Sequence, residues 1–151
     1  MAIKGKVVGV CLSKKKGTAK RNVQRGQLEV DWGLVGDAHA GPWHRQVSLL
    51  AWESIEKMRA KGLKVRAGSF AENITTEGIE LHTLPVGTRL RIGPALAEVT
   101  QIGKICHDRC AIYYQAGDCV MPREGIFVRI LEPGEVKVGD TVEVVEEPEA
   151  A

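Results

Sequence analysis

The sequence is poor in aromatic residues and contains no long apolar run. Three tryptophans, two tyrosines and two phenylalanines make up 5% of its 151 residues, and none of them interleaves with the basic run at 14–16. Stacking platforms for single-stranded nucleic acid are therefore missing, and a formal net charge of +2 is too small to favour bulk nucleic-acid binding. No apolar stretch approaches the roughly 20 residues that cross a bilayer. We expect neither nucleic acid nor a membrane as a partner.

The cysteines do not form a disulfide pattern. There are four of them, and the lysine-containing N-terminus lacks the long apolar stretch of a secretory signal. We therefore expect a cytoplasmic protein whose thiols are reduced. A chain of this length can bury a core of its own, so we predict a single domain over 1–145 and a frayed acidic tail over 146–151.

Short apolar or alternating runs separated by glycine-containing turns dominate the pattern. Helices are few: one is predicted over 51–61, where Trp52, Ile55 and Met58 share a face, and a shorter one over 107–115. Many short strands at regular spacing favour a mainly β fold, a closed or nearly closed β-barrel with a few short helices. The predicted strands cover 7–12, 27–32, 46–50, 88–92, 97–102, 126–131 and 141–145.

The segment 103–110, Gly-Lys-Ile-Cys-His-Asp-Arg-Cys, contains the densest chemistry. Cys106 has Lys104, His107 and Arg109 as sequence neighbours. Cationic neighbours favour the thiolate, which is the nucleophilic and metal-binding form of cysteine. Cys106 is therefore the best candidate for a reactive sulfur. The alternative is an ordinary buried thiol, because free cysteine is among the most buried residue types.

Three other segments hold polar groups suited to a ligand. Glycines at both ends of 36–41 allow a close backbone approach, and the segment and its continuation contain His39 and Arg45. The Gly- and Thr-rich stretch 68–78 could cradle an oxyanion, and Arg123 could clamp an anion. The alternatives are a polar loop bonded to itself, ordinary turn formers, and a surface arginine paired with a glutamate.

Zinc is a further alternative. Cys106, His107, Cys110 and Cys119 supply soft ligands, and two of the cysteines are spaced as in known zinc sites. No second paired knuckle is present in the sequence. A zinc-stabilised β-barrel interaction module is therefore a reading of a different class, while Cys11 in its apolar run is predicted to be packed core.

Taken in order, these segments resemble a MOSC domain, the module also found at the C-terminus of molybdenum cofactor sulfurases. The resemblance is to the compact, stand-alone bacterial members, in which a proline often precedes the cysteine where this chain has Ile105. The matching pieces are Gly-Asp-Ala-His-Ala-Gly at 36–41, Arg-Gln-Val-Ser-Leu-Leu at 45–50, Gly-Ser-Phe-Ala-Glu-Asn-Ile at 68–74, Leu-Pro-Val-Gly at 84–87, Gly-Lys-Ile-Cys at 103–106 and Arg-Glu-Gly-Ile at 123–126.

The resemblance implies a β-barrel-like fold and a site built around Cys106, as a persulfide carrier or as the protein thiolate ligand of molybdenum. The implied cofactor is the molybdenum cofactor (molybdopterin), possibly sulfurated. Pyridoxal phosphate is not expected on this chain, because it belongs to a separate desulfurase-like domain. The auxiliary residues are Arg45, Lys104, Arg109 and Arg123 for the phosphate or the negative charge of the metal centre, and His39, Asn73 and Thr75 for the pterin edge.

The leading prediction is a molybdenum cofactor-binding or sulfur-carrier protein that acts in cofactor sulfuration or delivery. Its partners would be cofactor-biosynthesis or cysteine-desulfurase proteins. The alternative is a molybdenum-dependent reductase of N-hydroxylated compounds, which would need an external electron-transfer partner because the sequence has no flavin or iron–sulfur motif. The sequence leaves open whether the protein is an enzyme, either a sulfur transferase or such a reductase.

Overall fold

The structure, a computed structural model, describes residues 3–16, 18–103 and 121–148. In these ranges there are two α-helices, α1 (Trp52–Arg59) and α2 (Met121–Glu124), and a 3-10 turn (Leu81–Thr83). The strands of the same ranges are β1 (Lys4–Leu12), β2 (Arg21–Asn22), β3 (Arg25–Glu29), β4 (Gly33–Leu34), β5 (Val47–Ala51), β6 (Ile74–Glu77), β7 (Arg89–Ile92), β8 (Ala95–Ile102), β9 (Ile126–Glu132), β10 (Gly134–Lys137) and β11 (Thr141–Glu146).

Seven of these strands close into a barrel. Their order is β11-β7-β8-β9-β5-β6-β1, and the pairing of β1 with β11, with Lys4 opposite Glu143, closes the circle. Neighbours are antiparallel except for β5 and β6, which are parallel and need a crossover between them. That crossover contains α1. The predicted mainly β, closed-barrel fold is confirmed.

Strand β5 is buried on both faces and therefore has a continuous apolar sequence. Leu49 points into the barrel core, whereas Leu50 lies in a second apolar cluster outside the barrel. The other buried members of that outer cluster are Ile55 and Met58 of α1, Phe127 of β9, and Val65 and Phe70. The outer wall of β5 and β9 is thus a packed surface on which loops can rest.

The predicted strand over 27–32 extends too far. Strand β3 ends at Glu29, and Asp31 has a φ of 55°, in the left-handed region that terminates an extended run. Trp32 consequently lies in a turn and is 45% exposed. Strand β3 pairs instead with β10 and β4 in a separate three-stranded sheet.

The stretch 68–78, predicted as a turn, contains β6. Thr75 and Thr76 lie in this strand and are fully buried. The strand was not predicted because β-branched threonines suit an extended strand as well as a turn. The predicted helix over 107–115 lies outside the described residues. In the described ranges, no helix is long and apolar enough to span a bilayer. Strand β11 runs to Glu146, and the boundary drawn at 145 stays a prediction.

Candidate functional site

The segment that carries Cys106 leaves and rejoins the barrel at a single point. Ile102, the last residue of β8, pairs with Ile126, the first residue of β9. The Gly103 amide donates a 2.6 Å hydrogen bond to the Gly125 carbonyl. Both ends of the intervening chain are therefore fastened to each other. Cys106 itself lies outside the described residues, and its role stays a prediction.

Arg45 lies at this root. Its Nε donates to Oε1 of Gln101 at 3.2 Å, and Nε2 of Gln101 donates to the Gly103 carbonyl at 2.7 Å. The guanidinium also stacks over the Phe127 ring at 5.1 Å. His44 Nε2 donates to the same Gln101 oxygen at 3.0 Å. Two hydrogen bonds thus link the predicted anion-binding arginine to the residue that immediately precedes the Cys106 segment.

Helix α2 holds the other end of the segment. Glu124 accepts hydrogen bonds from Ser54 Oγ at 2.6 Å and Lys57 Nζ at 3.0 Å, both from α1. Burial alone would raise the pKa of the Glu124 carboxyl, but these two partners hold it below its usual range. Arg123, beside it, has an exposed side chain. Its predicted role as an anion clamp stays a prediction.

Two loops, the one that follows β1 and the one that precedes β5, together form a buried ionic cluster. We call it the Lys20 cluster: Ser13, Lys20, Asp37 and His39. The Lys20 and Asp37 side chains are both fully buried, with Nζ 2.8 Å from Oδ1. Nζ is also 3.0 Å from Ser13 Oγ and 3.0 Å from His39 Nδ1. A buried ion pair persists only where further hydrogen bonds satisfy both charges, and this cluster provides them.

Asp37 is ionised in this cluster. Burial alone would raise the pKa of its carboxyl. The Lys20 ammonium 2.8 Å from Oδ1 and the Ser13 amide 3.1 Å from the same oxygen outweigh burial and hold that pKa well below its usual range. The cluster therefore carries a compensated pair of charges, and it reaches the surface at His39, whose side chain is 27% exposed.

A second buried polar group, which we call the Glu72 knot, consists of Cys11, Gly68, Phe70, Glu72 and Thr75. The Glu72 carboxylate accepts hydrogen bonds from the Gly68 and Phe70 amides and from Thr75 Oγ1, at 2.8, 3.2 and 2.6 Å. Burial nevertheless raises its pKa. Burial and the adjacent Glu72 charge also raise the pKa of the Cys11 thiol to about 12, which keeps it protonated. Cys11 is fully buried in β1, as predicted.

Asn73 and Thr75, predicted to contact a pterin edge, are fully buried. Asn73 Nδ2 donates to the Cys11 carbonyl, and Oδ1 accepts from the amide and the hydroxyl of Ser48. Thr75 donates to Glu72. These groups already bond β1, β5 and β6 together, and their assignment to a cofactor stays a prediction.

Sequence reasoning missed Lys20 and Gln101. Lys20 was not singled out, since lysine is almost never fully buried unless paired. The signal lay in the Asp-x-His pair at 37–39, which needs a cation. Gln101 gave no signal, because an amide at the end of a strand is common.

The described residues offer cations and neutral donors rather than a metal-binding cluster. In the ranges 3–16, 18–103 and 121–148, no group of three or more His, Cys, Asp or Glu side chains is arranged to hold a metal ion. Lys104, Arg109 and the four zinc candidates lie outside these ranges, so both the zinc and the molybdenum readings depend on the Cys106 segment.

Comparison with known proteins identifies the family. The model of the MOSC domain matches residues 36–143, more than half of the chain. No curated protein matches the sequence.

Several crystal structures share the fold. The YUAD protein from Bacillus subtilis superposes with a TM-score of 0.78 at 18% identity, covering 95% of this chain and 97% of its own. YiiM from Escherichia coli gives 0.69 at 20% identity, with 99% and 73% covered. YiiM from Geobacillus stearothermophilus gives 0.64 at 19% identity, with 94% and 73% covered. At these identities the likeness shows the fold alone.

Proposed function

Because this chain belongs to the MOSC domain family, which is associated with the molybdenum cofactor, we propose that it binds that cofactor, or a sulfurated precursor, through Cys106. In this role it would deliver the cofactor or its sulfur during the maturation of molybdenum enzymes. The proposal places the protein in the cytoplasm, where thiols stay reduced.

The observation that carries the proposal is the link between Arg45 and the root of the Cys106 segment. Arg45 reaches Gly103 through Gln101, so a guanidinium is held where the thiol-bearing chain departs. Arginine matches the geometry of phosphate oxygens, and molybdopterin carries a phosphate. The Phe127 ring, with its centroid 5.1 Å from the guanidinium carbon, adds a cation–π contact that helps to hold the side chain.

The donor set fits such a ligand. The cofactor combines a phosphate, a flat polar ring and a metal that accepts thiolate sulfur. A cavity of about 440 Å³ is lined by His44 and Thr100, the sequence neighbours of Arg45 and Gln101, and also by Asp31, Glu98 and Arg129. When bound, the cofactor would supply the molybdenum. The chain would supply the Cys106 sulfur, Arg45 and Arg123 against negative charge, and His39 as a polar contact.

Sulfur transfer requires only the Cys106 thiolate and a persulfide donor, for which a cysteine desulfurase is the expected partner. The thiolate attacks the outer sulfur of the donor persulfide, the donor S–S bond breaks, and the donor leaves as a thiolate. One S–S bond replaces another, so no external oxidant is needed. Cationic neighbours in the sequence would favour the attacking thiolate.

The test is elemental analysis for molybdenum and zinc on protein purified from a host that makes the cofactor. The parent, Cys106→Ala and Cys11→Ala are compared, because the last variant removes a thiol that is buried and protonated. We expect molybdenum in the parent and in Cys11→Ala, and its loss in Cys106→Ala.

Other results would redirect the account. Zinc without molybdenum in all three samples would contradict the proposal and favour a structural zinc module. A parent protein that contains neither molybdenum nor zinc would exclude stable cofactor binding and leave transient sulfur transfer as the role of Cys106. Incubation with a cysteine desulfurase and sulfur-labelled cysteine then decides that point, since label must appear on Cys106 and be released by a reductant.

A further inference from the structure

The hydrogens of the Lys20 cluster can be assigned one by one. An ammonium group has three N–H donors and no acceptor. Lys20 Nζ has three neighbours within hydrogen-bond distance: Asp37 Oδ1 at 2.8 Å, Ser13 Oγ at 3.0 Å and His39 Nδ1 at 3.0 Å. The Ser13 hydroxyl donates its own hydrogen to the Lys15 carbonyl at 2.8 Å. Its oxygen is therefore an acceptor towards Lys20.

The same count fixes the histidine. Each Lys20 hydrogen goes to one neighbour, so His39 Nδ1 must offer its lone pair. Asp37 Oδ2 competes for this nitrogen but is 3.7 Å away, beyond hydrogen-bond distance, and accepts instead from the His39 backbone amide at 3.0 Å. With Nδ1 unprotonated, the ring hydrogen of the neutral imidazole is on Nε2.

The geometry directs Nε2 outwards. Nδ1 faces the fully buried ammonium of Lys20, so the exposed part of the His39 ring is the opposite edge, which carries Nε2. The backbone at this point is also fixed, because Trp43 Nε1 donates to the His39 carbonyl at 2.8 Å. A ring held at Nδ1 and at its backbone is preorganised to donate in one direction.

We propose that Lys20 is a positioning residue that holds His39 as the neutral tautomer protonated on Nε2, so that His39 presents a fixed donor to an acceptor atom of the bound cofactor. The identity of that ligand rests on the proposed function; the tautomer does not. Such a donor selects ring nitrogens with a lone pair, carbonyl oxygens or phosphate oxygens, and disfavours N–H groups at the same position.

The tautomer is measured on cofactor-free protein by long-range 1H–15N correlation spectroscopy at neutral pH, with His39 assigned from the His39→Gln spectrum. We expect a protonated Nε2 and a bare Nδ1 in the parent. In Lys20→Met the ammonium is gone and Asp37 Oδ2 becomes the dominant neighbour of Nδ1. The hydrogen should then move to Nδ1. Lys16→Met, which removes an exposed cation 5.2 Å from the Trp43 ring, should leave the tautomer unchanged.

Two results would overturn the positioning role. If the parent protein carries the ring hydrogen on Nδ1, the positioning role is wrong. This result does not depend on whether the Lys20→Met protein folds. A folded Lys20→Met protein that retains the Nε2 hydrogen shows that Lys20 does not set the tautomer.

The ligand is tested by two amide substitutions of His39 in protein from the cofactor-producing host. The amide nitrogen of His39→Gln reaches the place of Nε2, whereas the shorter His39→Asn places its amide near Nδ1. Loss of one hydrogen bond lowers affinity by up to about tenfold, so we expect the Asn variant to retain less molybdenum than the Gln variant. Equal retention overturns the assigned donor. A parent without molybdenum contradicts the proposed function and its ligand, while the spectra decide the tautomer.

Discussion

The Lys20 cluster and the Glu72 knot are neighbours, but only one of them reaches the surface. They meet where the Lys20 amide donates to the Gly68 carbonyl at 2.8 Å. The Glu72 knot is closed, since Cys11, Glu72 and Thr75 are fully buried. The Lys20 cluster ends in a partly exposed histidine. Buried polar chemistry alone therefore does not define a site; it also needs an atom that a ligand can reach.

The two carboxyl groups also differ in what compensates them. Asp37 faces an ammonium, which lowers its pKa. Glu72 faces neutral donors, and burial prevails to raise its pKa. Asp37 is thus held as a charged partner of Lys20, whereas Glu72 accepts the hydrogen bonds that hold the turn at Gly68 and Phe70. Removing each group should reveal that difference.

The largest expected effect is that of Glu72→Leu. The Gly68 and Phe70 amides and the Thr75 hydroxyl would lose their acceptor inside the protein, at about 1–3 kcal/mol for each unsatisfied group. For the three groups together, we expect the free energy of unfolding in urea to fall by about 3–9 kcal/mol. Glu77→Leu, at the exposed end of β6, should change it by about 0.5 kcal/mol or less. If Glu72→Leu and Glu77→Leu lower the free energy of unfolding equally, the stabilising role of the Glu72 knot is contradicted.

Lys20→Met should cost somewhat less, about 3 kcal/mol, because it leaves the buried Asp37 carboxylate without its counter-ion. Adding Asp37→Leu should restore part of that loss, since apolar groups can replace a complete ion pair at little cost. Urea denaturation of the two single variants and the double variant measures the coupling. A double variant that loses the sum of the single effects would break the pairing.

The pH dependence of stability should separate the two carboxyl groups. Because the folded-state pKa of Asp37 is lowered, its contribution is fully present above the ordinary value of 3.8 and is lost as the pH falls below it. Because that of Glu72 is raised, the folded state binds the proton more tightly, and stability declines as the pH rises above 4.5. The stability advantage of the parent over Asp37→Asn should therefore shrink towards acid. Its advantage over Glu72→Gln should shrink towards neutral pH. Slopes of the same sign would contradict this assignment.

The smallest effect is expected for Lys57→Met on α1. Its side chain is 59% exposed beside Glu124, and exposed ion pairs contribute about 0.2–1 kcal/mol. Ser54→Ala, which removes the shielded partner of the same carboxylate, should cost about 1 kcal/mol in thermal or urea unfolding. A larger loss for Lys57→Met would show that charge rather than burial fastens this end of the Cys106 segment.

The barrel could be predicted from the sequence because alternation and apolar runs record which face of a strand is buried. Strand β2 could not, since Arg21 and Asn22 are both exposed and show no such pattern. Strand β6 was hidden because threonine suits turns and strands alike.

The candidate site was less predictable, because residue type does not reveal burial. Lys20 can be buried because it pairs with Asp37, 17 residues further along the chain. Only the tertiary fold creates this contact. Asn73 was chosen for its hydrogen-bonding capacity, and the fold uses that capacity to join β1 to β5.

The central claim is that Cys106 is the thiol available for chemistry while Cys11 is closed. Brief alkylation of the folded protein at neutral pH, followed by digestion and mass spectrometry, compares both residues in one sample. Cys11 is fully buried and its pKa is raised to about 12, so it should stay protonated at neutral pH and react only after unfolding. The account predicts modification of Cys106 in the folded state. If Cys106 is as protected from alkylation as Cys11 in the folded protein, the claim is contradicted.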